Sequence, residues 1–291
     1  MATIPDNSKV KIVECPRDAM QGILDFIPTS EKVSYINALL KVGFHTLDCG
    51  SFVSPKIIPQ MRDTEEVLES IDLSNTNTLL SVIIANDRGA DEAVKFKQVH
   101  CLGYPFSISE TFQKRNTNKT ILESLDTVKY ILDLCLDHDK QMVVYVSMGF
   151  GNPYGDDWNS GIVTDWIGKL ADLGVKQFSL SDTVGVSTGK SIEAVFNGLK
   201  HYTHTLDIGA HFHTTQDAWE SKIKTAYNNG CKKFDGAIRG FGGCPMAKDD
   251  LVGNMPTECL VDFFGNEKLQ LNVEEFQKSV HLADQLFKNY L

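Results

Sequence analysis

The stretch Lys9-Val10-Lys11-Ile12-Val13-Glu14-Cys15-Pro16-Arg17-Asp18-Ala19-Met20-Gln21 begins as an alternating, β-branched run. It stops at a proline and then offers an arginine and an aspartate side by side. Side chains alternate across a strand, so Val10, Ile12 and Glu14 face one way and Lys9, Lys11 and Val13 the other. On this dipeptide alone, a strand delivering an Arg-Asp pair at its end reads equally well as a surface ion pair after an edge strand. The rest of the chain decides between the two, because it repeats the unit.

Further short apolar or β-branched runs occupy 45–50, 78–85, 99–102, 142–146, 175–180, 206–212 and 233–238. Between and after them lie segments with helical spacing at 32–41, 63–71, 88–96, 120–136, 158–171, 191–200, 217–228, 257–264 and 274–286. Thr29 or Ser30 is placed to cap the first of these, and Gly43 to stop it. Eight strand-helix units in 291 residues, with no linker, predict an α/β protein built as a closed (β/α)8 barrel, the TIM barrel. The expected organisation is a single catalytic barrel domain over 1–291, with 265–291 as a C-terminal helical extension. A doubly wound sheet is the runner-up. It would bring a glycine-rich phosphate loop after the first strand, and the segment after Val13 has none.

Composition narrows the function. The chain is 42% apolar and 23% charged, as in an ordinary soluble globular protein, and long enough for one large core. A formal charge of -10 argues against nucleic acid as a partner. No 18-residue apolar run exists, so no membrane span is expected. The opening MATIPDNSK has neither an apolar signal core nor an Arg-rich presequence, and a cytoplasmic location is the expectation. Of seven cysteines, Cys15, Cys49, Cys101, Cys135 and Cys231 sit in or beside apolar segments, which suits buried thiols in a reducing compartment. No CxxC pair occurs, so a structural zinc site is not expected.

In a barrel of this kind chemistry gathers at the C-terminal ends of the strands. Those ends carry Arg17 and Asp18, Asp48, Asn86 and Asp87, Asp182, His211 and His213, and Arg239 with the loop reaching to Asn254. His211 and His213 are two apart and share one face of a strand. Alone, His-x-His is a weak signal. With Asp18 and the neutral oxygen of Asn254 it becomes a thiolate-free donor set that suits Mg²⁺ or Mn²⁺, with Zn²⁺ as the third candidate. Such an ion keeps positions free for substrate, as a Lewis acid requires. The loop Arg239-Gly240-Phe241-Gly242-Gly243-Cys244-Pro245 places a thiol in a polar, glycine-rich setting, which reads either as a reactive cysteine on a lid or as a glycine hinge with an incidental thiol.

These pieces resemble the 3-hydroxy-3-methylglutaryl-CoA lyases of the DRE-TIM metallolyase family. The resemblance runs over nearly the whole chain. It is carried by Lys11-Ile12-Val13-Glu14 with Pro16-Arg17-Asp18 and Gln21, by Ser51-Phe52-Val53-Ser54-Pro55-Lys56, by Lys114-Arg115-Asn116, by Ser181-Asp182-Thr183-Val184-Gly185, by His211-Phe212-His213, by Gly242-Gly243-Cys244-Pro245 and by Gly253-Asn254 with Thr257-Glu258. The resemblance implies Asp18, His211, His213 and Asn254 as metal ligands. It implies Arg17 as the cation facing a developing enolate and Cys244 as a catalytic thiol. Asp48, Asp182 and Glu258 become acidic residues of the catalytic face. Lys56, Lys114 and Asn116 are the candidates for contacts to an acyl-CoA, though the Lys114-Arg115 pair reads equally well as solvated surface. The implied partner is a small-molecule acyl-CoA, and the implied assembly a homo-oligomer, a dimer.

The chain also departs from the pattern. Asp48 stands where the family has glutamate, Ala19 where it has glycine, Thr214 where it has aspartate and Asn152 where many members have cysteine. No glycine precedes Pro16. These positions leave open which 3-hydroxy-acyl-CoA is cleaved. A Claisen-type synthase and a 4-hydroxy-2-oxo acid aldolase share the barrel, and an aldolase would not require the Cys244 loop. A barrel without turnover that binds an acyl-CoA or a protein is the reading from a different class.

Overall fold

Eight short strands pair in chain order and close on themselves: β1 (Lys11–Glu14), β2 (Thr46–Ser51), β3 (Leu79–Ile83), β4 (Val99–Ser107), β5 (Gln141–Ser147), β6 (Gln177–Asp182), β7 (Asp207–Phe212) and β8 (Lys233–Gly236). All the pairings are parallel, and β1 meets β8 in register from Lys11↔Lys233 to Glu14↔Gly236. The computed structural model describes residues 9–243 and 252–290 of this (β/α)8 barrel. Cys244 lies outside the described residues.

Helices run between and after the strands: α1 (Pro16–Gln21), α2 (Thr29–Leu40), α3 (Thr64–Ser70), α4 (Asp87–Ala93), α5 (Glu110–Thr117), α6 (Ile121–Asp137), α7 (Ser160–Leu173), α8 (Gly189–Gly198), α9 (Trp219–Asn228), α10 (Thr257–Phe264), α11 (Asn266–Leu269) and α12 (Val273–Lys288). Their inward stripes cover the sheet; Ile131, Ile167, Val195 and Ile223 are fully buried. Where α6 begins, Thr120 and Glu123 form a reciprocal capping box.

Three expectations change. Pro16 does not merely end the first strand. It is the first residue of α1, where its fixed φ and missing N–H cost nothing, so Arg17 and Asp18 sit on a helical turn. The β4 strand runs on past Leu102 through Gly103 and Pro105 to Ser107, in register with β5. Thr29 does not cap α2; Pro28 holds that position and the Thr29 hydroxyl donates to Asp63 instead, at 2.8 Å. The apolar stripe of α12 packs on its own barrel: Phe287 meets Tyr35 of α2, with ring centroids 6.0 Å apart, and Phe276 meets Phe44.

Candidate active site

The C-terminal mouth of the barrel holds a pocket of about 350 Å³ whose lining includes Arg17, Asp18, His211 and His213. Apolar side chains line it too, among them Val53, Ile57, Ile58, Ile83 and Phe112, together with the neutral polar groups of Asn116, Ser147, Ser181 and Thr183.

The charges here are arranged as a chain. Asp48, in the middle of β2, is fully buried and takes the Arg17 guanidinium side-on, with Nε at 3.3 and 3.1 Å from its two oxygens. A second N–H, on Nη2, also reaches Asp48, and Nη1 donates to Asp18 at 3.0 Å. Three of the five guanidinium N–H groups are thereby fixed, which orients the cation at the pocket. Burial opposes ionisation of Asp18, but Arg17 and the two imidazoles outweigh it and hold its carboxyl below the usual range. The Gln21 amide also donates to Asp18.

The two histidines leave β7 on one face. Their Nε2 atoms are 3.3 Å apart, and His211 Nε2 lies 3.7 Å from Asp18. One donor atom from each of Asp18, His211 and His213 falls within 4.8 Å of the others. Burial, with the neighbouring His211 second, pushes His213 down to about 4, so its ring is neutral near pH 7. Asp18, His211 and His213 thus bring one carboxylate and two imidazoles together with no thiolate among them. The donor set therefore fits a divalent ion. Asn254 joins the group because its backbone bridges to His213, while its Nδ2 donates to the Phe241 carbonyl at 2.9 Å.

The remaining candidates separate. Asn116 lines the pocket. Lys114 does not: its side chain is 58% exposed and pairs with Glu110 at 3.1 Å. Lys56 is exposed on its loop. Asn86 uses its side chain to cap α4 through the Gly89 N–H. Asp182 is buried, bound to Lys222 at 2.6 Å and to the Ser187 N–H at 3.0 Å. Glu258 receives the Arg239 N–H at 3.0 Å, and the Arg239 guanidinium also reaches Asp284 of α12 at 2.7 Å. Asp182 and Glu258 thus brace the loops around the pocket. Sequence reasoning missed Asp235, whose carboxylate lies 3.1 Å from His211 Nδ1, and Lys222, which donates to the His213 carbonyl at 2.7 Å. An acid within the short β8, between Phe234 and Gly236, is the local signal for Asp235.

A parallel barrel with carboxylate and imidazole donors converging beside an arginine at its C-terminal mouth defines a class of barrels built for ion-assisted chemistry. Within that class, residues 9–283 match the family model described as HMGL-like, and the chain belongs to that family. It is 32% identical over 272 residues to hydroxymethylglutaryl-CoA lyase YngG of Bacillus subtilis, covering 93% of this chain and 90% of the relative. It is 32% identical over 264 residues to the mitochondrial hydroxymethylglutaryl-CoA lyase of Mus musculus, covering 90% and 79%. Among solved structures, an HMG-CoA lyase from Acinetobacter baumannii in complex with coenzyme A and 3-methylmalate superposes with a TM-score of 0.88 at 27% identity. That match covers 98% of this chain and 93% of the other.

Proposed function

We propose that this chain is a divalent-metal-dependent carbon–carbon lyase. Its substrate is 3-hydroxy-3-methylglutaryl-CoA or a close 3-hydroxy-acyl-CoA, and its products are acetyl-CoA with acetoacetate or the matching ketone. The observation that carries this reading is the convergence of Asp18, His211 and His213 beside a fixed Arg17 at the mouth of one pocket. Family membership and relatives named as hydroxymethylglutaryl-CoA lyases support it.

Asp18, His211 and His213, with Asn254, would hold the ion, which supplies positive charge to substrate oxygens and eases loss of the hydroxyl proton. The chain's own groups do the rest. Asp18 is the carboxylate that faces the pocket and can receive the C3 hydroxyl proton, and His211 beside it would hold the ion through Nε2. The oxygen left at C3 becomes a ketone as the C2–C3 bond breaks, and the electron pair passes to the thioester as an enolate. Two N–H groups of Arg17 are not taken by Asp48 or Asp18, and they can meet that charge. A proton delivered to C2 completes the acyl-CoA product; the role assigned to Cys244 is to deliver it from its thiol. The apolar wall of Val53, Ile57 and Phe112 suits a substrate branched by an alkyl group at C3. A homodimeric, cytoplasmic protein completes the reading; sedimentation and cell fractionation test those two parts.

The test is acetoacetate release from 3-hydroxy-3-methylglutaryl-CoA with Mg²⁺ or Mn²⁺, beside chelated protein and Cys244→Ala. Metal-dependent release that collapses in Cys244→Ala is expected. Metal bound without any release would exclude this substrate. Failure to bind metal at all would exclude the reaction class.

A further inference from the structure

Beneath the pocket, on the barrel axis, lies a second and much smaller chamber of about 20 Å³. Ser81 of β3, Tyr145 of β5, Ser179 of β6 and Asp235 of β8 are among its walls, and Tyr145 lines the upper pocket as well. Asp235 is 3% exposed. One of its oxygens, Oδ2, lies 3.1 Å from His211 Nδ1 and accepts from the Ser179 hydroxyl at 2.9 Å. Its other oxygen, Oδ1, has no hydrogen-bond partner among the described residues, and neither has the Ser81 hydroxyl; both are buried. A chamber of this volume with two such groups has the size and polarity for a single water.

The His211 ring can carry its proton on either nitrogen. A carboxylate only accepts, and Nδ1 stands within hydrogen-bond reach of Asp235 at 3.1 Å while Nε2 stands 3.7 Å from Asp18, beyond that reach, so the geometry puts the proton on Nδ1. With Nδ1 protonated, Nε2 presents a lone pair to Asp18 and His213. With Nε2 protonated, the ring cannot bind an ion there at all.

We propose that Asp235 is a positioning residue: it fixes His211 in the tautomer protonated at Nδ1, aims Nε2 at the metal site, and is itself steered by Ser179 and by one water held between Asp235 Oδ1 and Ser81. The inference rests on the metal reading given under Proposed function, and the experiment below separates the two.

Full-length protein labelled with ¹⁵N-histidine reports the tautomer without any metal, with His211 assigned by His211→Gln. Mn²⁺ affinity is read by electron paramagnetic resonance in wild type, Asp235→Asn and Asp235→Ala, with circular dichroism as the check on folding. The expected wild-type tautomer is protonated at Nδ1. Loss of the carboxylate is expected to weaken Mn²⁺ binding about 10- to 100-fold in Asp235→Ala. The loss is smaller in Asp235→Asn, whose amide oxygen can still accept. A wild-type ring protonated at Nε2 overturns the proposal even if Asp235→Ala does not fold. So do folded variants that bind Mn²⁺ as tightly as wild type. Wild type that binds no Mn²⁺ overturns the metal reading instead, and the tautomer measurement then judges Asp235 alone. A crystal structure with the chamber dry removes the water from the proposal.

Discussion

Replacing Lys222 by methionine removes a buried cation that joins three pieces of the catalytic face. Its ammonium donates to Asp182 at 2.6 Å, to the His213 carbonyl at 2.7 Å and to the Gly185 carbonyl at 3.1 Å. Lys222 and Asp182 are both buried, so solvent cannot take over these bonds. Breaking one side of a buried pair strands the other charge, at a cost of about 3–5 kcal/mol. At about 2–3 °C per kcal/mol for a chain of this size, the thermal midpoint should fall by roughly 6–15 °C. Lys222→Met combined with Asp182→Asn strands no charge, and the amide can still accept from the Ser187 N–H that now serves Asp182. The double variant should therefore recover more than half of the loss. Thermal unfolding of the metal-free protein, followed by circular dichroism across the four members of the cycle, measures this. Single substitutions whose effects simply add would refute it, because they would mean that the two groups do not depend on each other. Mn²⁺ affinity should fall with the single lysine substitution as well, since the carbonyl of a candidate ligand loses its anchor.

Glu14 is fully buried between the Thr257 hydroxyl at 2.5 Å and the Ile238 N–H at 2.9 Å, and burial raises its carboxyl to about 8 against the pull of those bonds. The unfolded chain releases this proton near 4.5 while the fold retains it to about 8. The contribution to stability is therefore full below 4.5 and is lost across that window, at up to about 1.4 kcal/mol per pH unit. Glu14→Gln has no such proton to lose and should show a flatter stability profile in urea titrations between those limits; parallel profiles would contradict the assignment. At Gly242, with φ +92°, an added Cβ would stand 2.3 Å from the Asp18 carbonyl oxygen and 2.9 Å from Ala19 Cα. Gly242→Ala should displace α1 and weaken Mn²⁺ binding at least ~10-fold, as a shifted ligand support does elsewhere. Gly22→Ala, where nothing among the described residues lies within 4 Å, should leave binding unchanged; equal effects at both glycines would remove the steric argument.

The barrel was legible because its strands are short apolar runs between helices with clear inward stripes, and because glycine marks stops such as Gly43 and Gly174. The α5 helix was not, because among its residues only Phe112 and Gln113 are buried and no apolar stripe announces it. In sequence Pro16 marks the end of a strand, and in the fold it also starts a helix, since both uses follow from the same ring constraint. Asp18, His211, His213 and Asn254 could be named because strand ends converge in a barrel. Their supports could not. Asp235 reaches His211 across 24 residues and Lys222 reaches Asp182 across 40, and no local pattern encodes either pairing. The separation of Lys114 from Asn116 also needed the fold: two residues apart on α5, one points into the pocket and the other pairs with Glu110 outside it.

The barrel closes where its first strand meets its last, and the candidate ligands straddle that seam. Asp18 follows β1, while His211, His213 and Asn254 come from β7 and from the chain beyond β8. An ion held by this set would act as a clasp on the ring, gripping the chain on both sides of the seam. At about one hundred times its dissociation constant it would add about 2.7 kcal/mol to closure. Chelation should then loosen the β1–β8 pairing before any other, so the amide protons of Lys11 to Glu14 become a gauge of the clasp that needs no substrate.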